Sequence, residues 1–191
     1  MLKQYFISGL YVLFAMALTA QQTDTLYTFS IGKDVTVTIN RATGSFTSRQ
    51  PVLLILYALP NGNTTAQTLG KQMAAGDDWH FDIQHVRAQT SFLRQALPHK
   101  NIVVALLAND YKSWPAWKQK HLQFATEIKF MVDTLSALFH HPDICLNGHS
   151  GGGSFIFGYL KGVDEIPGAV IKNGTNCVTS ATGTFTLLGN P

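Results

Sequence analysis

The fold is decided by the segment ICLNGHSGGG, residues 144–153. A short apolar run leads into a serine flanked by glycines, and an apolar segment of helical length, 154–160, follows. Residues 148–152 fit the pattern G-x-S-x-G, in which a serine occupies a sharp turn between a strand and a helix. Glycine is needed there because side chains beside the turn would collide with both elements. The segment therefore predicts a strand, a strained turn at Ser150 and a helix.

Strands and helices alternate along the rest of the chain. Residues 26–30 and 35–40 alternate apolar and polar side chains around 32–34, which predicts a β-hairpin. Apolar runs are typical of strands covered on both faces, and they predict such strands at 52–58, 102–107 and 143–147 and a fourth at 166–171. The remaining patterns predict helices over 64–75, 81–97 and 118–139, with loops at 60–63 and 108–117.

This alternation predicts an α/β fold, a mostly parallel sheet with helices on both faces. Ligand sites in such sheets lie beyond the carboxyl ends of the strands. Three features fall at those ends: the turn at Pro60, the loop 111–117 and Ser150. We therefore expect the functional site at this edge of the sheet.

The first twenty residues have the pattern of a secretory signal peptide. Lys3 precedes an apolar region, 6–18, and small residues follow, so cleavage is expected after Ala20 or Ala17. The chain would then be secreted or periplasmic with no membrane span, and the alternative is an uncleaved N-terminal anchor. One domain over 21–171 and an irregular tail over 172–191 would remain.

The order of these elements, together with the motif at Ser150, resembles the α/β-hydrolase family over residues 26–171. The resemblance implies that Ser150 is a nucleophile that attacks a small-molecule ester or amide. It also implies an oxyanion hole in which the backbone N–H of Gly151 is one donor. The second donor would come from the turn after the third strand, at Asn61 or Gly62.

The chain departs from the family after the motif. In the family an acid and then a histidine follow the serine. Here the acids after Ser150 are Asp164 and Glu165, and no histidine follows it. We therefore expect an incomplete α/β-hydrolase, truncated or frame-shifted, which lacks the last strands and helix of the fold together with the triad acid and histidine.

Other polar and aromatic residues are weaker candidates for the site. His149 lines the site or packs beneath the turn, and His80 belongs to an acidic cluster in which Asp77 or Asp78 fits a helix N-cap. The spacing in that cluster matches no standard helical pair of metal ligands, so no metal is expected. The aromatic residues of the loop, which either wall a substrate pocket or pin the loop to the domain, are Tyr111, Trp114 and Trp117.

Composition restricts the remaining possibilities. The formal net charge is +3 without a Lys/Arg-rich block, so nucleic acid is not an expected partner. The sequence has neither of the common nucleotide-binding glycine patterns, and no cofactor is expected. Export would permit a disulfide between Cys145 and Cys177, although free thiols are favoured. Two alternatives to a hydrolase stay open, a non-catalytic ligand-binding protein on the same scaffold and a chain that does not fold stably.

Overall fold

The structure is a computed structural model that describes residues 24–44, 49–140, 142–164, 176–179 and 184–189, the last two segments as backbone only. The predicted signal peptide and the predicted strand at 166–171 lie outside these residues. The strands are β1 (Asp24–Ser30), β2 (Val35–Ala42), β3 (Val52–Ala58), β4 (Asn101–Asn109), β5 (Asp143–His149), β6 (Asn176–Thr179) and β7 (Thr184–Gly189). The α-helices are α1 (Thr65–Leu69), α2 (Val86–Ala96), α3 (Trp114–Lys120), α4 (Phe124–Ala137) and α5 (Gly153–Asp164).

The strands form one mixed sheet in the order β1-β2-β4-β3-β5-β7-β6. Strand β3 pairs in parallel with both β4 and β5, whereas the other four pairings are antiparallel. The prediction of a mostly parallel sheet is therefore wrong. Two features make the sheet mixed. Strand β2 of the β1–β2 hairpin pairs with β4 in the antiparallel direction, and β7 pairs with β5 in the antiparallel direction. Both β6 and β7 lie in the segment for which the sequence predicted an irregular tail.

Helices cover both faces of the sheet, as the sequence predicted. Side chains of a strand alternate between its two faces. Leu54 and Leu56 of β3 pack into one buried cluster with side chains of α3, α4 and α5. Ile55 and Tyr57 pack into a second cluster with side chains of α1 and α2. Strand β3 and residues 102–107 of β4 are continuously apolar because both faces of these strands are covered.

The long helix predicted over 118–139 is two helices. Helix α3 begins after Ser113, whose side chain accepts a hydrogen bond from the N–H of Ala116, and α4 begins at Phe124. The helix is interrupted at His121, whose buried ring stacks on Trp117. Its Nδ1 atom lies 2.7 Å from Glu127 Oε2. Burial of this ring therefore decides the break, which leaves Leu122 95% exposed rather than on the apolar face.

The helices predicted over 64–75 and 81–97 are shorter in the structure. Helix α1 ends at Gly70, which adopts a φ of +75°. A 3-10 turn, Trp79–Asp82, precedes α2, and Asp78 caps it by accepting a hydrogen bond from the N–H of His80. The prediction of an N-cap at this position is therefore confirmed for Asp78. The start of α2 is delayed by His85, whose φ of +47° is incompatible with a continuous helix.

Arg94 ties the hairpin to the rest of the domain. Its side chain is buried on α2, donates to Asp24 Oδ1 of β1 at 2.5 Å and to Asn40 Oδ1 of β2 at 2.7 Å, and reaches the carbonyl of Ile102 on β4. Burial lowers the pKa of Arg94, and the Asp24 carboxylate opposes this change. The guanidinium therefore stays charged and satisfied while it connects three neighbouring strands to one helix.

Cys145 is a buried free thiol on β5. Burial raises its pKa to about 11, so the thiol stays protonated near neutral pH. It therefore acts as a small apolar side chain in the core.

Replacement of Asp24 by asparagine should destabilise the domain. The variant keeps the shape of the side chain and leaves the buried Arg94 charge without its counter-ion, which costs on the order of 3 kcal/mol. Urea unfolding followed by circular dichroism measures this loss. The control is Asp133→Asn, which removes an exposed ion pair with Lys129 and should change nothing measurable. Equal stability of the two variants would contradict the role assigned to Arg94.

Candidate active site

Ser150 occupies a strained turn between β5 and α5. Its φ is +51°, in the left-handed region that non-glycine residues rarely adopt. A 3-10 turn, Ser150–Gly152, connects the end of β5 at His149 to the first residue of α5. The motif therefore forms the strand, sharp turn and helix that its sequence pattern predicts.

The glycines of the motif are required by close contacts between backbones. A Cβ on Gly148 would lie 2.7 Å from the carbonyl carbon of Gly152, and one on Gly152 would collide with the carbonyl oxygen of Ala58. Ala58 is the last residue of β3. The turn at Ser150 is thus pressed against the end of the neighbouring strand.

The same packing brings the turn after β3 to Ser150. A Cβ on Gly151 would collide with Asn61 Oδ1 and would lie 2.8 Å from Nδ2, so the Asn61 side chain lies directly against the Gly151 backbone. The N–H of Gly62 donates to the carbonyl of Lys112 at 2.8 Å. Because that N–H is already committed, Asn61 is the better candidate of the two for the second oxyanion donor. The structure thus brings together Ser150, Gly151 and Asn61.

His149 is held by a chain of amides. Asn63 Nδ2 donates to Gln84 Oε1 at 3.1 Å, and Gln84 Nε2 lies 3.4 Å from His149 Nδ1. An amide nitrogen only donates, so His149 Nδ1 is the acceptor in this contact. Gln84 is buried and was not singled out by the sequence analysis, since nothing in a loop pattern marks it.

No described residue supplies Ser150 with a base. Among residues 24–44, 49–140 and 142–164, no hydrogen bond joins the Ser150 hydroxyl to a histidine or a carboxylate. Three histidines before it pair elsewhere: His80 Nδ1 with Asp78 at 2.5 Å, His85 Nε2 with Asp82 at 2.8 Å and His121 Nδ1 with Glu127 at 2.7 Å. His80 also stacks on Trp79. Within the described residues, Ser150 therefore lies at a strained turn with no hydrogen-bonded histidine or carboxylate.

Two of the three aromatic residues proposed for a pocket wall are core residues. Trp114 and Trp117 are 0% exposed, and both belong to α3 rather than to a loop. Trp114 packs edge-to-face on Phe155 of α5 with ring centroids 4.7 Å apart. The pocket prediction is therefore wrong for both indoles. Both rings are buried in the core, where Trp114 contacts α5 and Trp117 packs against Trp114. Tyr111 is 41% exposed, and its hydroxyl lies 3.4 Å from Asp34 Oδ2.

No protein-family model, curated protein or solved structure matches this chain. In the described part of the chain, no helix is both long enough and apolar enough to span a membrane. The function is therefore inferred from the geometry of the site.

Replacement of Gly152 by alanine should destabilise the protein through a steric clash. The added methyl group meets the Ala58 carbonyl oxygen, and such overpacking costs on the order of 2 kcal/mol. The matched control is Gly76→Ala. Gly76 has open space around it but a φ of +87°, so this variant reports left-handed strain alone, about 1 kcal/mol. Urea unfolding would contradict the close approach if Gly152→Ala costs no more than Gly76→Ala.

The strain at Ser150 should be visible in a pair of variants. A left-handed backbone conformation costs a residue with a Cβ about 1–2 kcal/mol of stability. Glycine avoids this cost, but part of the gain in stability is offset because glycine is more flexible in the unfolded chain. We therefore expect Ser150→Gly to be more stable than Ser150→Ala by about 0.5–1 kcal/mol. Thermal melts of both variants measure the difference, and a more stable alanine variant would show that the turn is not strained.

Proposed function

We propose that this chain is an exported serine hydrolase of the α/β-hydrolase type, which acts on a small-molecule ester or amide through Ser150. The observation that carries the proposal is the position of Ser150 at a strained turn, with the Gly151 backbone and Asn61 in contact beside it. Strain of this kind persists where the surrounding packing imposes it and is typical of reactive sites. Export rests on the pattern of the first twenty residues.

The reaction would be acyl transfer to water. The Ser150 oxygen bonds to the carbonyl carbon and gives its proton to solvent water, and the C=O π bond breaks so that the carbonyl oxygen becomes the oxyanion of a tetrahedral intermediate. The N–H groups of Gly151 and Asn61 donate to that oxyanion, and each such donor lowers the barrier by about 3 kcal/mol. Collapse of the intermediate expels the alcohol or amine, which takes up a proton, and water then hydrolyses the acyl-serine.

The missing base limits the rate that this arrangement supports. A serine hydroxyl is a weak nucleophile until a neighbouring base accepts its proton. The sequence has no histidine after Ser150, and the Nδ1 atom of His149 is occupied by Gln84. Within the described residues, the proposed site therefore combines a serine and candidate oxyanion donors with no hydrogen-bonded base.

The second candidate function is a non-catalytic ligand-binding protein on the same scaffold. It is favoured by the absence of a hydrogen bond between Ser150 and a base in the described residues. The two candidates differ in the reactivity of one hydroxyl, because a ligand-binding protein needs no activated serine.

A fluorophosphonate probe separates the two candidates. Ser150 would attack the phosphorus atom and displace fluoride, so the wild type should be labelled and Ser150→Ala should not. Labelling should be slow, because no base is in place. Intact-mass spectrometry over hours measures the rate, and a folded wild type without labelling would favour the ligand-binding protein.

Asn61 offers a test of the oxyanion hole. Its turn is closed by the N–H of Asn63 and the carbonyl of Pro60, and Gly62 at its third position has a φ of +80°. This is the pattern of a type II turn, which accepts proline at the second position. Asn61→Pro therefore removes the N–H and should slow labelling about 100-fold. The control Asn61→Ala keeps the N–H and should stay within a few-fold of the wild type; equal rates for all three would exclude this donor.

A further inference from the structure

A cleft of about 430 Å³ with both polar and apolar lining residues lies where β3 and β4 end. The chain leaves β3 toward the face covered by α1 and α2, and it leaves β4 toward the face covered by α3 and α4. Backbones that diverge to opposite faces open a crevice at the carboxyl ends of parallel strands, where ligands bind in α/β sheets. The volume lies within the range of small-molecule sites.

The lining of this cleft is suited to hydrogen bonding. It is formed by Leu59, Pro60, Asn63, Thr64, Thr65, Ala108, Asn109, Asp110 and Lys112. Asn63 and Asn109 are each 7% exposed, and both are held in place, Asn63 by Gln84 and Asn109 by the N–H of Ser113. Asp110 supplies a carboxylate and Lys112 an ammonium group, so the charges balance. The amide, hydroxyl, carboxylate and ammonium groups of this lining can hydrogen-bond a neutral ligand that carries several hydroxyls.

The cleft and the oxyanion turn are one connected unit. Lys112 has a φ of +47°, its N–H donates to the carbonyl of Asn109 at 2.9 Å, and its carbonyl accepts from Gly62 at 2.8 Å. The turn that carries Asn61 is therefore pinned to the wall of the cleft. Strand β3 lies between β4 and β5, and adjacent strands are about 4.8 Å apart, so the ends of β4 and β5 are roughly 10 Å from each other.

We propose that this cleft binds the alcohol part of the substrate and selects polyol esters. The inference rests on the proposed function, because it assigns the acyl carbon to Ser150 and the leaving alcohol to the cleft. Asp110 accepts hydrogen bonds from the hydroxyls of the alcohol, and Lys112 donates to their oxygens. An alkyl alcohol of the same ester would make none of these hydrogen bonds, which weakens its binding.

Binding to the Ser150→Ala variant tests this assignment without any turnover. Glycerol 1-butyrate and ethyl butyrate are titrated into the ¹⁵N-labelled protein, and the backbone amide signals are followed by NMR. The glycerol ester should shift the signals of 63–65 and 109–112 and bind at least tenfold more tightly than the ethyl ester. Equal affinities, or shifts confined to other residues, would overturn the proposal.

Lys112→Gly in the same background removes the ammonium group and suits the left-handed backbone at that position. It should raise the dissociation constant for glycerol 1-butyrate at least fivefold without altering the fold by circular dichroism. The control is Lys71→Ala, which removes a lysine paired with Asp77 outside the cleft and should leave the affinity unchanged. Unchanged affinity in Lys112→Gly would overturn the role of the cleft. Fluorophosphonate labelling is independent of this result, since the fluoride leaves from the phosphorus atom of the probe and carries no alcohol group for the cleft to bind.

Discussion

The close approach between the turn at Ser150 and the end of β3 is the constraint on which the site depends. Gly152 lies against the carbonyl oxygen of Ala58, a contact that no side chain at this position would permit. This close approach fixes the position of Ser150 relative to the turn at 60–63, which follows β3. It therefore places Asn61 against Gly151. Sterics at two glycines therefore position three groups that would act together on one carbonyl.

The positioning of the serine is better developed than its activation. Both oxyanion-hole candidates lie in contact, and the amide chain from Asn63 through Gln84 fixes the ring of His149. Each of these features is preorganised by hydrogen bonds or packing that cost nothing at the moment of reaction. Proton transfer is the step that lacks a partner among the described residues, which makes the reactivity of Ser150, rather than its geometry, the quantity that decides between an enzyme and a ligand-binding protein.

The antiparallel hairpin extends the parallel strands and is tied to them by charge. Arg94 reaches β1, β2 and β4 from a single buried position, and Asp24 neutralises it. Apolar packing holds the other side, where Trp114 and Trp117 lie beneath α5. The turn at Ser150 is thus supported from one face of the sheet by aromatic packing and from the other by the hydrogen bonds that link Asn63, Gln84 and His149. The cleft beside β4 opens where the helices on the two faces separate.

The sequence by itself determined strands β1 to β5, including the hairpin, and the turn at Ser150, because buried runs and glycine spacing are local signals. Only the tertiary structure decided that the helix predicted over 118–139 breaks at His121, since burial of that ring overrides the helical period. Burial likewise turned Trp114 from a predicted pocket wall into a core residue. The commitment of the Gly62 N–H to Lys112 joins residues fifty positions apart, so no local pattern reveals it. Local sequence signals therefore set the secondary structure, and packing between distant residues set which groups contact one another.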